Sequence, residues 1–260
     1  SIEVCNRGEN KLIKPKWVVL AAGAVNSSAL LLSSKNDLFP DGLSNSSGMV
    51  GANFMWHHCS IMMAIDHRSK NDAIYQKTIS IDQFYSSGGG NNHPLGHVQM
   101  AGKLLPSNLQ NLYPMLPKRP LSWLCSHSVD WFLLTEDLPT PENRLNTDSA
   151  GRISFKLNRP NRKAHEQLVS KMKEIFRDAG YPWILTKPFG IESPTHQCGT
   201  IQIGLDPAKA PLDSYCRSFD HPDLWVVDAS TLPTSAAVNP TLTIIAQALR
   251  AADHWLESKT

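Results

Sequence analysis

No run of eighteen apolar residues occurs anywhere in the 260-residue chain, which excludes a simple membrane-spanning helix. The longest candidate, Trp17 to Leu32, is broken by Gly23, Asn26, Ser27 and Ser28. Charge of one sign is also lacking. A formal net charge of +2 argues against a nucleic-acid or anionic-membrane partner. The densest basic group, Lys156, Arg159, Arg162 and Lys163, reads as a solvated face. The five cysteines have no regular spacing and no Cys-x-x-Cys, which excludes a disulfide framework, a zinc ribbon and a thioredoxin motif. His57-His58-Cys59 has no second ligand cluster at helical or hairpin spacing, so no metal is expected. Ser1 to Arg7 lacks the basic-then-apolar order of a signal peptide. Missing, too, is a Gly-x-Gly-x-x-Gly turn. Gly88-Gly-Gly-Asn-Asn-His-Pro94 has neither that spacing nor a following Gly-Lys-Ser/Thr, and reads as a turn or mobile loop.

What the chain does have is 41% hydrophobic residues, enough for one large core or two small ones. Residues 2–5 and 12–20 read as strands, and the apolar run from Trp17 ends at Gly23. A helix is expected from Asn26 or Ser27 to about Ser34, with either side chain able to cap it. Segments 53–66, 74–85 and 129–134 read as strands, and 152–157 alternates like an edge strand. The Pro-rich stretch from Leu104 to Trp123 predicts irregular structure or short helices, a possible lid. Leu168, Met172, Ile175 and Phe176 mark a helix over 165–179, with Gly180 as its stop. One strand–helix unit at each end, with strands and a helix between, predicts an α+β fold.

Two segments carry the chemistry. Trp225-Val-Val-Asp228-Ala229 leads through a polar turn to Asn239-Pro240-Thr241, which opens a helix running to about Glu257. Asn can cap that helix and Pro suits its first position. A helix N-terminus also presents free amides and a positive dipole end, which stabilise negative charge on a ligand. Upstream stands His196-Gln-Cys-Gly-Thr200. A neutral imidazole suits removal of a hydroxyl proton near pH 7. Asn239 can orient an oxygen by hydrogen bonding but cannot serve as a base.

Together these segments resemble the C-terminal signature of the glucose-methanol-choline (GMC) family of FAD-dependent oxidoreductases. Ala21-Ala-Gly-Ala-Val-Asn-Ser-Ser-Ala-Leu-Leu is similar to the second signature of that family, with Ser28 where Pro is usual. Ser44 to His57 resembles the segment that follows, with Val50, Gly51 and Asn53 as weaker candidates near the cofactor. The resemblance implies the C-terminal part of a GMC-type fold: part of an FAD-binding domain with an antiparallel-sheet substrate domain. It places the divisions at 1–58 (FAD-binding), 59–193 (mainly substrate-binding) and 194–260 (catalytic His segment and return to the FAD-binding domain). It implies FAD as cofactor, no metal, and a small-molecule alcohol or sugar as substrate. His196 and Asn239 would be catalytic; Ala22, Gly23, Asp228, Ala229, Asn239, Pro240 and Thr241 would contact the cofactor. Since relatives open with a nucleotide-binding fingerprint that this sequence lacks, a C-terminal fragment is expected. The alternative is a non-catalytic binding or structural domain that keeps the fold without flavin. A nicotinamide enzyme would need the absent glycine fingerprint.

Overall fold

The computed structural model describes residues 1–74, 77–88, 93–190 and 195–258. The chain opens with an exposed hairpin, β1 (Ile2–Asn6) and β2 (Glu9–Ile13), turned by Arg7 and Gly8 at positive φ. β3 (Val18–Leu20) then leads into α1 (Gly23–Ser33). After a long loop come β4 (His58–Ile65), β5 (Ser80–Ile81) and β6 (His97–Met100). Two short helices follow, α2 (Pro106–Leu112) and α3 (Lys118–Ser126), then β7 (Ser128–Thr135). The hairpin β8 (Arg144–Thr147) and β9 (Ile153–Lys156) precedes α4 (Arg162–Asp178) and β10 (Trp183–Pro188). The chain returns through β11 (Leu224–Val226), a 3-10 turn (Ala229–Thr231) and α5 (Thr241–Glu257).

The central element is a five-stranded antiparallel sheet in the order β10-β4-β7-β6-β5. Strand β4, second in that order, His-Cys-Ser-Ile-Met-Met-Ala-Ile, is buried at every residue because both faces are covered. Alternation sorts its side chains. Met62 and Ala64 pack with Val98, Trp131 and Leu133 against Leu168, Met172 and Phe176 of α4. Met63 and Ile65 face Leu109 of α2 and Leu121 and Cys125 of α3. Leu168, Met172 and Phe176 recur every four residues, the spacing that puts them on one helix face.

A second, smaller core joins β3, α1 and β11. β3 and β11 pair in parallel, and Leu20, Leu31, Val50, Ile201, Leu212, Leu224 and Val226 are buried together. Mixed α and β structure with an antiparallel sheet is the α+β architecture expected from the sequence.

Several boundaries move. α1 starts at Gly23 rather than Asn26 or Ser27, because Gly23 takes φ +83°, a conformation open to glycine. The strand expected from 53 begins at His58; residues 53–57 instead leave the sheet and pair with 195–198 through Met55 and Cys198. Of 74–85 only Ser80–Ile81 is strand among the described residues. β6, β8 and β10 carry no strong pattern and escaped the sequence reading. The glycine-rich turn at 88–94 lies largely outside the described residues, as does Pro194.

Candidate active site

Residues 53–57 and 195–199 run side by side. Met55 N–H donates to Cys198 O at 3.0 Å, Cys198 N–H returns the bond at 2.9 Å, and His57 N–H donates to Thr195 O at 3.2 Å. Gly199, at φ +88°, makes this approach possible: a Cβ there would stand 2.5 Å from the Asn53 carbonyl oxygen. Between these ties His196 adopts φ +55°, an uncommon conformation for a non-glycine residue. Such strain persists only where surrounding bonds over-determine it. Thr200 extends the anchorage by donating its hydroxyl to Ala24 O of α1 at 2.6 Å.

His196 projects partly exposed, with Asn239 Nδ2 3.3 Å from its Nε2. Asn239 Oδ1 accepts from Gln99 Nε2 of β6, also at 3.3 Å. That bond fixes the amide: its oxygen faces the sheet and its N–H groups face the imidazole. In that orientation His196 Nε2 can accept from the Asn239 amide. Burial lowers the His196 pKa below the usual imidazole value, and the Lys77 ammonium lowers it further. Both effects keep the ring neutral and able to take a proton.

Behind His196 lies His57, fully buried, with ring centroids 4.7 Å apart at 68°. Burial, then the charge His196 would carry, push the His57 pKa down to about 4. The backbone of Ala236 and Val238 faces this ring, but neither contact reaches normal hydrogen-bond geometry. His57 is therefore a neutral wall rather than a second base. Its neighbour His58 points elsewhere, to Asp137 at 3.1 Å. No metal-ligand cluster exists among the described residues.

The other sequence candidates meet at the end of β11. Asp228 Oδ2 accepts from Gly23 N–H at 2.9 Å and from the Ser27 hydroxyl at 2.5 Å, while Oδ1 accepts from Ser230 N–H at 2.8 Å. Ser27 also accepts from Ala22 N–H at 3.1 Å. The carboxylate thus clamps the start of α1 to the turn after β11, and its side chain is fully used within the chain. Ala229 O accepts from Gly199 N–H at 3.1 Å, which ties this clamp to the His196 segment. Met55, Cys198 and Leu232 are buried beneath, with Ala229 and Ile244 of α5 packed on them. The expected cap at Asn239 does not form. α5 begins at Thr241 with Pro240 in the cap position and no side-chain cap, because the Asn239 amide is taken by Gln99 and His196. The sequence reading missed Gln99, and nothing in the sequence around it marks the position.

The profile described as GMC oxidoreductase matches residues 139–248. Over that span the chain matches the C-terminal part of the GMC oxidoreductases. It is 28% identical to 2-methyl-1,2-propanediol dehydrogenase of Mycolicibacterium austroafricanum, over 95% of this chain and 49% of that protein. It is 27% identical to the fructose dehydrogenase large subunit of Gluconobacter japonicus, over 92% of this chain and 46% of the relative. The crystal structure of pyridoxine 4-oxidase from Mesorbium loti superposes with a TM-score of 0.63 at 18% identity, covering 98% of this chain and 54% of that one. That likeness carries the fold alone. The chain spans about half the length of the curated relatives it matches.

Proposed function

We propose that this chain carries the proton-abstracting half of an FAD-dependent site that oxidises a CH–OH group of a sugar, polyol or other alcohol. The observation behind the reading is the paired placement of His196 and Asn239, 3.3 Å apart, on the partly open end of the site. The two relatives just described, by name a diol dehydrogenase and a fructose dehydrogenase, support the substrate type.

The residues present fit a flavin. Gly23 has open space where a side chain would stand. The first turn of α5, after Pro240 and Thr241, has no side-chain cap and so offers amides and a dipole end to an anionic group. Backbone at Ala22, Gly23, Asp228 and Ala229, with Asn239, Pro240 and Thr241, would hold the cofactor. Bound FAD would supply the hydride acceptor. The protein's part is proton handling. His196 Nε2 takes the hydroxyl proton of the substrate, and the Asn239 amide, held by Gln99, turns an N–H to the same oxygen. His57 keeps the His196 ring in place without bringing a competing charge. In this reading residues 1–58 and 194–260 serve the cofactor side and 59–193 the substrate side.

The test is rapid-mixing reduction of the flavin in the full-length enzyme by a panel of alcohols and sugars. Replacement of His196 by Ala should slow reduction at every substrate concentration. An unchanged rate would remove His196 from the role. Because the base must be neutral, the wild-type rate should fall as pH drops through the depressed His196 pKa, and this limb should vanish in the variant.

A further inference from the structure

Cross-strand partners lie on the same face of a sheet, with Cβ atoms roughly 5 Å apart. Gln99 stands opposite Phe132, Phe132 opposite Ile61, and Ile61 opposite Lys187. These four side chains therefore form one row across β6, β7, β4 and β10, on the face away from α4. At one end Gln99 holds Asn239. At the other, Ile61 and Lys187 line a cavity of about 240 Å³ beneath α2 and α3. Two strand spacings, roughly 10 Å, separate Gln99 from Ile61. The half-buried Phe132 ring fills the interval, with Phe189 against its edge at 6.1 Å.

The cavity lining is aliphatic except for Tyr113, Thr186 and Lys187. Leu112 and Leu116, on and just after α2, stand at its mouth 44% and 46% exposed. A polyol body laid here would give up water at several hydroxyls and find few partners. An apolar body would exchange water for Phe132, Ile61 and the leucines. Two described cations lie along this strip, the Lys77 ammonium 5.2 Å above the Phe132 ring and Lys187 at its β10 end, and both belong to exposed, flexible side chains that a ligand can displace.

We infer that the row Gln99–Phe132–Ile61 extends the proposed catalytic pair into an apolar subsite, and that the substrate is an alcohol bearing an extended aliphatic or aryl-alkyl body, its CH–OH at His196 and Asn239 and the far end of its body under α2 and α3. This rests on the proposed role of His196 and Asn239 and narrows the substrate class.

The experiment uses the full-length, flavin-loaded enzyme. Flavin reduction is compared for 1-octanol, 1-decanol and 6-phenyl-1-hexanol against glucose, sorbitol and glycerol. Leu116→Asp places a charge at the exposed mouth, where folding tolerates it, and Ile61→Asn changes the buried wall. The expected result is kcat/KM at least tenfold higher for the apolar set. Leu116→Asp should raise KM for that set about tenfold, with a much smaller change in kcat. Ethylbenzene, which has no hydroxyl, should inhibit competitively in the wild type and less in Leu116→Asp. Preference for the sugars, or an apolar-set KM indifferent to Leu116→Asp, would overturn the subsite while leaving the His196 reading intact. A flavin that neither set reduces would overturn both.

Discussion

β4 is paired along its length by β7 on one side and β10 on the other, and every residue of it is buried. β3 and β11 make a parallel pair of only three residues each, with Val19 65% exposed. Both are apolar strands, Ile-Met-Met-Ala-Ile in one and Val-Val-Leu in the other, yet one is enclosed and one is not. Parallel strands normally sit within a sheet covered on both faces. Trp17, and Leu242, Ile245, Leu249 and Leu256 of α5, are exposed on the same side of the comparison, while the sheet carries its own helices on both faces. The lesson is that composition sets which segments want to be strands, but coverage decides how firmly they are held. The proposed catalytic pair joins the two regions: Asn239 begins the stretch into α5 yet bonds Gln99 of the sheet. Its geometry therefore depends on both.

The largest expected effect lies at that join. His196→Ala in the full-length enzyme should reduce the flavin-reduction rate by roughly 10²–10⁴-fold, the usual worth of a positioned general base. Thermal stability should barely change, since the ring is partly exposed and its Nδ1 has no partner among the described residues. A variant that loses stability in step with activity would mean that His196 holds the two regions together rather than reacting.

Next comes the enclosed region. Met62→Ala removes a fully buried side chain from between the sheet and α4. It should cost about 2–5 kcal/mol, read from urea unfolding. Backbone amides of β4 and β7 should exchange with deuterium most slowly in the chain, and those of β1, β2 and β3 fastest. Equal protection of the β3–β11 pair would break the contrast drawn above.

Acid should weaken both regions through buried imidazoles. His165, bonded to Ser60 Oγ at 2.7 Å and Thr135 Oγ1 at 3.0 Å, has its pKa pushed to about 3, mainly by burial. His57 is pushed to about 4 for the same leading reason. The folded values lie below the ordinary 6.5, so the unfolded chain binds more protons between them. Stability is complete above 6.5 and is lost as pH falls toward those folded values. At pH 5 each ring should subtract about 2 kcal/mol. His165→Gln and His57→Gln should each flatten the pH dependence of the urea midpoint over this window. A midpoint that stays pH-dependent in the double variant would assign the acid sensitivity to carboxylates.

The sequence made some of this legible, for identifiable reasons. α4 was readable because a helix with one buried face writes its period into the chain, as Leu168, Met172 and Phe176 do. β4 was readable as a dense apolar run. β10 was not: Trp183 to Pro188 is an edge strand, half exposed, and its polar alternation looks like loop. His196 and Asn239 were found through motif resemblance, and the structure brings them together. Gln99 stayed hidden because its role arises only from the fold placing β6 beside the start of α5. The Asn239 cap failed for a related reason. Local propensity favours Asn at a helix start, but a tertiary hydrogen bond took the amide first.

The smallest effect should come from the exposed stripe of α5. Leu242, Ile245 and Leu249 follow a spacing of three and then four residues, one face of a helix, and are 81%, 50% and 60% exposed. Leu242→Glu or Ile245→Glu should change the stability of this chain by no more than about 0.5 kcal/mol, since each side chain is already in water. In the flavin-loaded protein the same changes should lower flavin retention, since α5 opens on the cofactor in the proposed site and this stripe beside it needs a cover. The two measurements together separate the possibilities. A neutral result in both settings makes the stripe ordinary exposed surface. Destabilisation already in the 260-residue chain would mean that α5 is more enclosed than its exposed leucines indicate, and the contrast between the two regions would shrink accordingly.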